Sequence, residues 1–501
     1  MTKEQGIRWW PLGLILLGEA AALIFFWFIR DIPVRQARVL ATMGTTLLAL
    51  GLAGIWFLFL SRIPWKNRFQ GLGLVVALFL AFAALFEYGG MSGDLVPQFR
   101  FRYAASAVVS GGDSLTGIRV SDYPQFQGPH RNAVIDDSSL DFDWATNPPQ
   151  LLWKRPVGDA ISGFSVAGEL AITQEQEGDG EKIVAYGLAS GEIVWQHRSP
   201  GHYASPVAGA GPRSNPSISE GRVFAMGATG LLTALDLETG TLLWSRNILG
   251  DRQRPVPTWG KSCSPLVVGD QVIVTIHRTA LVAYSAEDGS LLWERGNDGG
   301  NYGSPTLLEL AGRRQVISFN SQGPAGYAAE DGTPLWSFPW PRGSEHVSLP
   351  VRVSDDRLLV STGYGVGAKL LEFASDGTTL EVKELWHSIR LKSKFANFFV
   401  IGDYIYGLDD GIMTCLDLAT GERVWKRGRY GHGQMMLVGA TILLMAEDGR
   451  LVAIEPSPEG LKEISSFQAL QGHTWNPPAL AGELLVVRNS REAACYRLPS
   501  R

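Results

Sequence analysis

The decapeptide LDLETGTLLW, Leu235–Trp244, returns as LDLATGERVW at Leu416–Trp425. Three further segments keep its outline: AYGLASGEIVW ending at Trp195, AYSAEDGSLLW at Trp293 and GYAAEDGTPLW at Trp336. In all five, a glycine stands four residues before the tryptophan. Apolar residues on both sides of an acidic or polar turn describe a hairpin. Glycine takes the positive φ of the tight turn, and the aromatic residue packs on the returning strand. A chain that repeats one hairpin must bury each copy against the next, which restricts it to repeat architectures.

Two copies are degenerate, FASDGTTLEVKELW ending at Trp386 and IEPSPEGLKEISSF ending at Phe467, while PPQLLW supplies a lone strand at Trp153. The eight anchors are thus Trp153, Trp195, Trp244, Trp293, Trp336, Trp386, Trp425 and Phe467, spaced 39 to 50 residues apart. This period fits a four-stranded propeller blade and exceeds that of leucine-rich or ankyrin repeats. Between anchors the order recurs: a Ser/Pro entry strand (SNPSI, SCSPLVV, YGSPTLL), a Gly or Asp turn, an alternating strand (GRVFAMG, DQVIVTI, DYIYGLD), then the hairpin. The predicted fold is all-β, an eight-bladed β-propeller of four-stranded blades with tryptophan docking repeats. Trp153 has only an outer strand before it, and three strands (HTWNPPAL, GELLVVRN, AACYRLP) follow Phe467. The two ends therefore share one blade, and this closure removes the open sheet edge.

The first 88 residues read differently. Trp9–Ile29, Val39–Leu60 and Gly71–Tyr88 are apolar and long enough to cross about 30 Å of hydrocarbon as helices. Trp9, Trp10, Trp27, Trp56 and Trp65 fall near their ends, where amphipathic rings settle. Three transmembrane α-helices are predicted, and three spans in succession are not a cleavable leader. Basic residues assign no orientation: Lys3, Arg8, Arg62, Lys66 and Arg68 on one side balance Arg30, Arg35, Arg38, Arg100 and Arg102 on the other. Glu19, central in the first span beside Gly18 and Ala20, is read either as a protonated carboxyl tying helices together or as a relay or partner-subunit contact. The domain plan is 1–88 for the membrane anchor, 89–120 for a Gly- and Ser-containing linker and 121–501 for the propeller.

Charge and cysteine content narrow the function. With 44 basic and 49 acidic residues and no long basic run, nothing points to a nucleic-acid groove. The isolated Cys263, Cys415 and Cys495 exclude a disulfide-dense scaffold, a Cys-x-x-Cys metal site and a haem attachment motif.

In a propeller, the links from each outer strand to the next inner strand lie on the face opposite the glycine turns. These links carry His202, Tyr203, Arg213, Asn215, Trp259, Lys261, Asn301, Tyr302, Glu345, His346, Lys392, Lys394, His432, Gln434, His473, Trp475 and Asn476. Four of the eight histidines fall there. Arg213, Lys261, Lys394, His202, His432, Trp259 and Trp475 make a candidate rim for an anion or a flat molecule. The alternative is that such residues satisfy buried backbone groups of the inner strands or face a water-filled channel. No triad or metal-ligand spacing singles them out.

The phrases of the form DxxTGxxxW resemble the repeats of pyrroloquinoline quinone (PQQ) enzymes and of their cofactor-free relatives, which include the propeller lipoprotein of the outer-membrane barrel-assembly machinery. The stretch DYPQFQGPHRNAV, Asp122–Val134, followed by PPQLLWKRPVG, looks like a bacterial subgroup of PQQ-like propeller proteins. For PQQ enzymes the resemblance would imply adjacent cysteines over the cofactor, a Glu/Asn/Asp set around Ca²⁺ and a catalytic aspartate. No two cysteines adjoin here, and neither the calcium ligands nor the aspartate can be matched. Trp259 or Trp475 as a stacking floor and Arg213, Lys261 or Lys394 as carboxylate partners are placed by rim position alone. Membrane quinoproteins that carry helices before the propeller imply an inner-membrane chain with its propeller in the periplasm. The expectation is a membrane-anchored, non-catalytic module that binds protein partners or a small ligand. The alternatives are a PQQ-dependent dehydrogenase passing electrons from an alcohol or sugar to membrane quinone, and a ligand sensor.

Overall fold

The computed structural model describes residues 6–32, 34–103, 108–112, 114–276, 279–296, 302–343, 345–375 and 380–501. The chain divides into two compact units, Met1–Ala105 and Ser106–Arg501.

In the first unit, α1 (Trp10–Ile24) and α2 (Arg35–Ile55) each run on through one wider π turn, to Ile29 and Leu60, and α3 spans Trp65–Leu85. Trp10–Ile29, Arg35–Leu60 and Trp65–Leu85 are long and apolar enough to cross a membrane. The third helix begins ahead of its apolar run, directly after Pro64, and stops at Leu85 rather than Tyr88. Phe86–Met91 (β1) then pairs antiparallel with Pro97–Phe101 (β2), so the stretch read as linker opens with a hairpin. Alternation on both sides of a turn makes that hairpin, and composition alone hides it. The Thr46 hydroxyl of α2 donates to Glu19 Oε1 of α1 at 2.6 Å, the helix-tying arrangement.

The second unit is the eight-bladed propeller. Seven blades follow in chain order, with sheets over residues 165–200, 217–247, 266–295, 306–337, 351–388, 398–429 and 434–468 (blades 1 to 7). Blade 8 joins Ala479–Ala481, Leu484–Arg488 and Glu492–Arg497 to Gln150–Pro156, with Trp153 opposite Cys495. The predicted sharing of one blade by the two ends is therefore the observed closure.

The repeated phrase docks blade on blade. Gly191, Gly240, Gly289, Gly332 and Gly421 all have φ between +68° and +72°. A Cβ on them would stand 2.5 to 2.7 Å from the ring of Trp153, Trp195, Trp244, Trp293 and Trp386 respectively. Each glycine thus lies under the tryptophan of the preceding blade. The indole N–H groups of Trp153, Trp195, Trp244, Trp386 and Trp425 donate to carbonyls of the following blade, those of Leu188, Leu237, Ala286, Leu418 and Ser457, at 2.9 to 3.1 Å. Trp293 and Trp336 donate instead to Gln271 and Gln315 of their own blades.

The Ser/Pro entry strands form the inner wall. Ser165 Oγ donates to Pro216 O, Ser217 Oγ to Pro265 O, Asn215 N to Ser264 Oγ and Ser264 N to Ser304 Oγ, so small hydroxyls carry the bonding from one blade to the next.

The segment Asp122–Ile135 crosses this wall on the side of the glycine turns. Tyr123 pairs with Val166 of blade 1, Pro124 O accepts from Ile218 N of blade 2, and Val134–Ile135 adds a parallel strand to blade 7. The Arg131 guanidinium reaches blades 3 and 4, donating to Ser264 O, Pro265 O and Pro305 O at 2.7 to 3.0 Å and to Gln125 Oε1 at 3.1 Å. A short peptide bonded to blades 1, 2, 3, 4 and 7 passes over the propeller axis. Burial lowers the Arg131 pKa to about 9, so the plug remains a cation at neutral pH.

Candidate functional site

Strand parity sends two sets of connections to the face away from the glycine turns: the outer-to-inner links, and the turns between the second and third strand of each blade. Side chains from both sets form two clusters.

The first is built on the links that enter blades 2 to 5. Tyr203 donates through its hydroxyl to Thr258 O at 2.7 Å, and the Arg213 guanidinium lies 4.8 Å over the Tyr203 ring. Arg213 is tied by Nη2 to Ala208 O and Gly209 O, while its buried Nε makes no hydrogen bond among the described residues. Burial lowers its pKa to about 10, partly offset by Tyr203 and Tyr302. The Trp259 indole donates to Glu345 Oε1 at 3.2 Å, and its backbone N–H reaches the Tyr302 hydroxyl at 3.4 Å. Burial, reinforced by the Glu345 charge, pushes Tyr302 up to about 12.

The second cluster joins the connections of blades 5 to 8. Lys394 Nζ lies 5.0 Å over the Tyr364 ring and 5.2 Å over Phe395. Phe395 meets His432 and Trp475 with ring centroids 5.6 and 5.3 Å apart. Glu447 organises the far end: its Oε1 accepts from the Trp475 indole at 2.9 Å and faces His473 Nε2 at 3.3 Å, and its Oε2 accepts from His432 N at 3.1 Å. The clusters approach each other at Tyr364, whose pKa is raised by burial and then by the charges of Glu345 and Tyr302.

Of the rim residues read from the sequence, Arg213 and Trp259 therefore enter the first cluster, and Lys394, His432 and Trp475 the second. Lys261 and His202 lie apart from both. Lys261 is 3% exposed and donates to Thr275 Oγ1 at 3.1 Å, whereas exposed His202 contacts Gly178 O at 3.0 Å through Nδ1. His346 is fully buried and stacks on Phe319 at 4.2 Å, with its pKa lowered by burial to about 4. Asn476 bonds Ala160 O and Ser162 O, the backbone-satisfying role. Asn301 lies outside the described residues.

Glu447, Tyr364 and Glu181 were missed because only the links were read. They sit at or beside turns between second and third strands, and counting strand direction through each blade would have sent those turns to the same face. Buried Glu181 accepts from Ala228 N at 3.0 Å, and desolvation pushes it up to about 7, with His202 opposing.

A quinone–calcium centre asks for several oxygen donors converging on one cation. Among the described residues no three His, Cys, Asp or Glu side chains converge in that way. The mouth carboxylates Glu345 and Glu447 are engaged by indole N–H groups, and Cys263, Cys415 and Cys495 are buried apart from one another with no disulfide partner.

Residues 179–427 match the family model described as outer membrane protein assembly factor BamB. No curated protein matches the sequence. Among solved structures, BamB from Moraxella catarrhalis is similar at 17% identity and TM-score 0.50, over 70% of this chain and 98% of that one. A europium-containing methanol dehydrogenase is similar at 12% identity and TM-score 0.56, over 75% and 98%. The quinohemoprotein alcohol dehydrogenase from Comamonas testosteroni is similar at 12% identity and TM-score 0.54, over 76% and 81%. At these identities the likeness is one of fold. Eight four-stranded blades, the glycine-on-tryptophan docking and the match across 179–427 make the second unit a β-propeller similar to the PQQ-like propeller proteins.

Proposed function

We propose that this chain is a membrane-anchored, non-catalytic recognition module, with its propeller in the bacterial periplasm and the two aromatic and cationic clusters as the surface that meets a protein partner or a small ligand. One observation carries this reading: Glu345 and Glu447, the carboxylates of the two clusters, accept from the indoles of Trp259 and Trp475, and Glu447 also from the backbone N–H of His432. Cations rest on aromatic faces beside them, an arrangement suited to contact rather than to acid–base or metal chemistry. Scaffold and enzyme relatives share the fold, so the distinction rests on these side chains.

The test is a photo-crosslinking side chain in place of Trp259 or Trp475 in the full-length protein in native membranes, followed by mass spectrometry. A partner protein recovered from both positions, and lost on Lys394→Glu, is the expected result. No crosslinked partner, together with no thermal stabilisation by aromatic carboxylates or sugars, would overturn it. Dye reduction with an alcohol or sugar after addition of PQQ and Ca²⁺ would establish the dehydrogenase instead. A periplasmic reporter fused after Arg501 reads the topology.

A further inference from the structure

The hairpin β1–β2 is amphipathic in register. Phe86 lies opposite Phe101 and Tyr88 opposite Phe99, while Glu87 lies opposite Arg100 on the other face, with Arg100 Nε 2.6 Å from Glu87 Oε1. The aromatic face stays about half exposed: Tyr88 is 44% exposed, Phe99 53% and Phe101 46%, and Tyr103 beyond it 67%.

Both ends of the hairpin are fixed to helix termini. β1 starts at the residue after α3, where Phe82 of the last turns stacks on Phe86 at 4.9 Å and meets Phe99 edge-on at 5.1 Å. Arg102 N donates to Leu85 O, satisfying a carbonyl at the end of α3. At the other end, the tip between the strands holds the start of α2: Asp94 Oδ2 stands 2.7 Å from Arg35 Nε, and Gly93 O accepts from Gln36 Nε2 at 2.8 Å. The end of α3 and the beginning of α2 lie on one side of any membrane the helices cross, because α2 and α3 run in opposite directions. The hairpin therefore lies along that boundary, with its aromatic face on the side of Phe82.

We propose that β1–β2 is an interfacial anchor whose occupant is the lipid surface of the chain's own membrane. Aromatic rings at this depth bury apolar area among the upper acyl chains, while Arg100 and Glu87 remain at the water side. The hairpin then sets the level at which the polypeptide leaves the bilayer. This rests on the reading of α1, α2 and α3 as membrane spans, and the test separates the two.

The full-length protein is placed in nanodiscs of phosphatidylcholine and phosphatidylglycerol whose lipids carry a nitroxide high on the acyl chain. The three native cysteines are buried, so an environment-sensitive dye goes to an introduced thiol. Phe101→Cys and Tyr88→Cys report the aromatic face, Gln98→Cys the opposite face, and Leu78→Cys the exposed side of α3. The two aromatic-face labels should be blue-shifted and quenched several-fold more than the Gln98→Cys label. Equal, weak quenching at 101, 88 and 98 with strong quenching at Leu78→Cys overturns the anchor alone. Weak quenching at Leu78→Cys overturns the membrane reading and the anchor with it.

Discussion

The glycine of the repeated phrase has two duties, and they separate experimentally. Gly240 and Gly221, in the same blade, have φ of +68° and +71°, yet a Cβ at Gly240 would meet the Trp195 ring at 2.5 Å whereas one at Gly221 meets nothing within 4 Å. Gly221→Ala should cost only the left-handed backbone penalty, about 1 kcal/mol. Gly240→Ala should cost about 3 kcal/mol, because the blade contact is lost as well. Thermal unfolding of the two variants in detergent reads the difference, and equal midpoints would mean that the tryptophan contact is not what the glycine preserves. Glu181 makes the corresponding electrostatic prediction. Its folded pKa, about 7, is above the ordinary 4.5, so the folded state holds a proton that the unfolded chain has released. Stability from this group is complete below about 4.5 and is lost as pH rises through about 7. Glu181→Gln should flatten the unfolding midpoint between pH 5 and 8, and an unchanged slope would remove Glu181 as its source.

The plug segment matters at the scale of elements. Arg131 brings three backbone carbonyls from two blades to one guanidinium, a fork that an ammonium cannot reproduce. Arg131→Met should leave those carbonyls unpaired at a cost of about 3 kcal/mol, and Arg131→Lys should recover only part of it. Hydrogen exchange at the inner strands of blades 3 and 4 is the measurement, and protection unchanged in both variants would show that Arg131 holds nothing. The segment around this residue was legible as a family-like entry, DYPQFQGPHRNAV, but its path was not. Four of its residues, Gln127, Gly128, Arg131 and Ala133, take positive φ, and only Gly128 advertises that in sequence. The β1–β2 hairpin was half legible: FRFRY, Phe99–Tyr103, alternates as a strand does, whereas Phe86–Tyr88 of its partner strand closes the run that reads as an apolar span.

For the whole molecule, ring closure is the decisive interaction. Removing residues 492–501 deletes the strand that lies between Gln150–Pro156 and the rest of blade 8. Two exposed edges and a missing blade wall result, so the truncated chain should be protease-sensitive and self-associating, as limited proteolysis and size exclusion would report. A compact, resistant product would contradict closure through blade 8. The blade count, the shared last blade and the three apolar helices follow from the sequence alone, because period, turn chemistry and span length are local properties that survive without coordinates. The rim residues were located only to a face: Arg213, Trp259, Lys394, His432 and Trp475 reach the clusters, while Lys261 and His202 lie apart. Which side chains meet, that Glu345 and Glu447 are held by indoles, and that Arg131 crosses the axis were decided by the tertiary structure. Those contacts join residues of different blades, and their distances depend on how the ring closes rather than on any spacing along the chain.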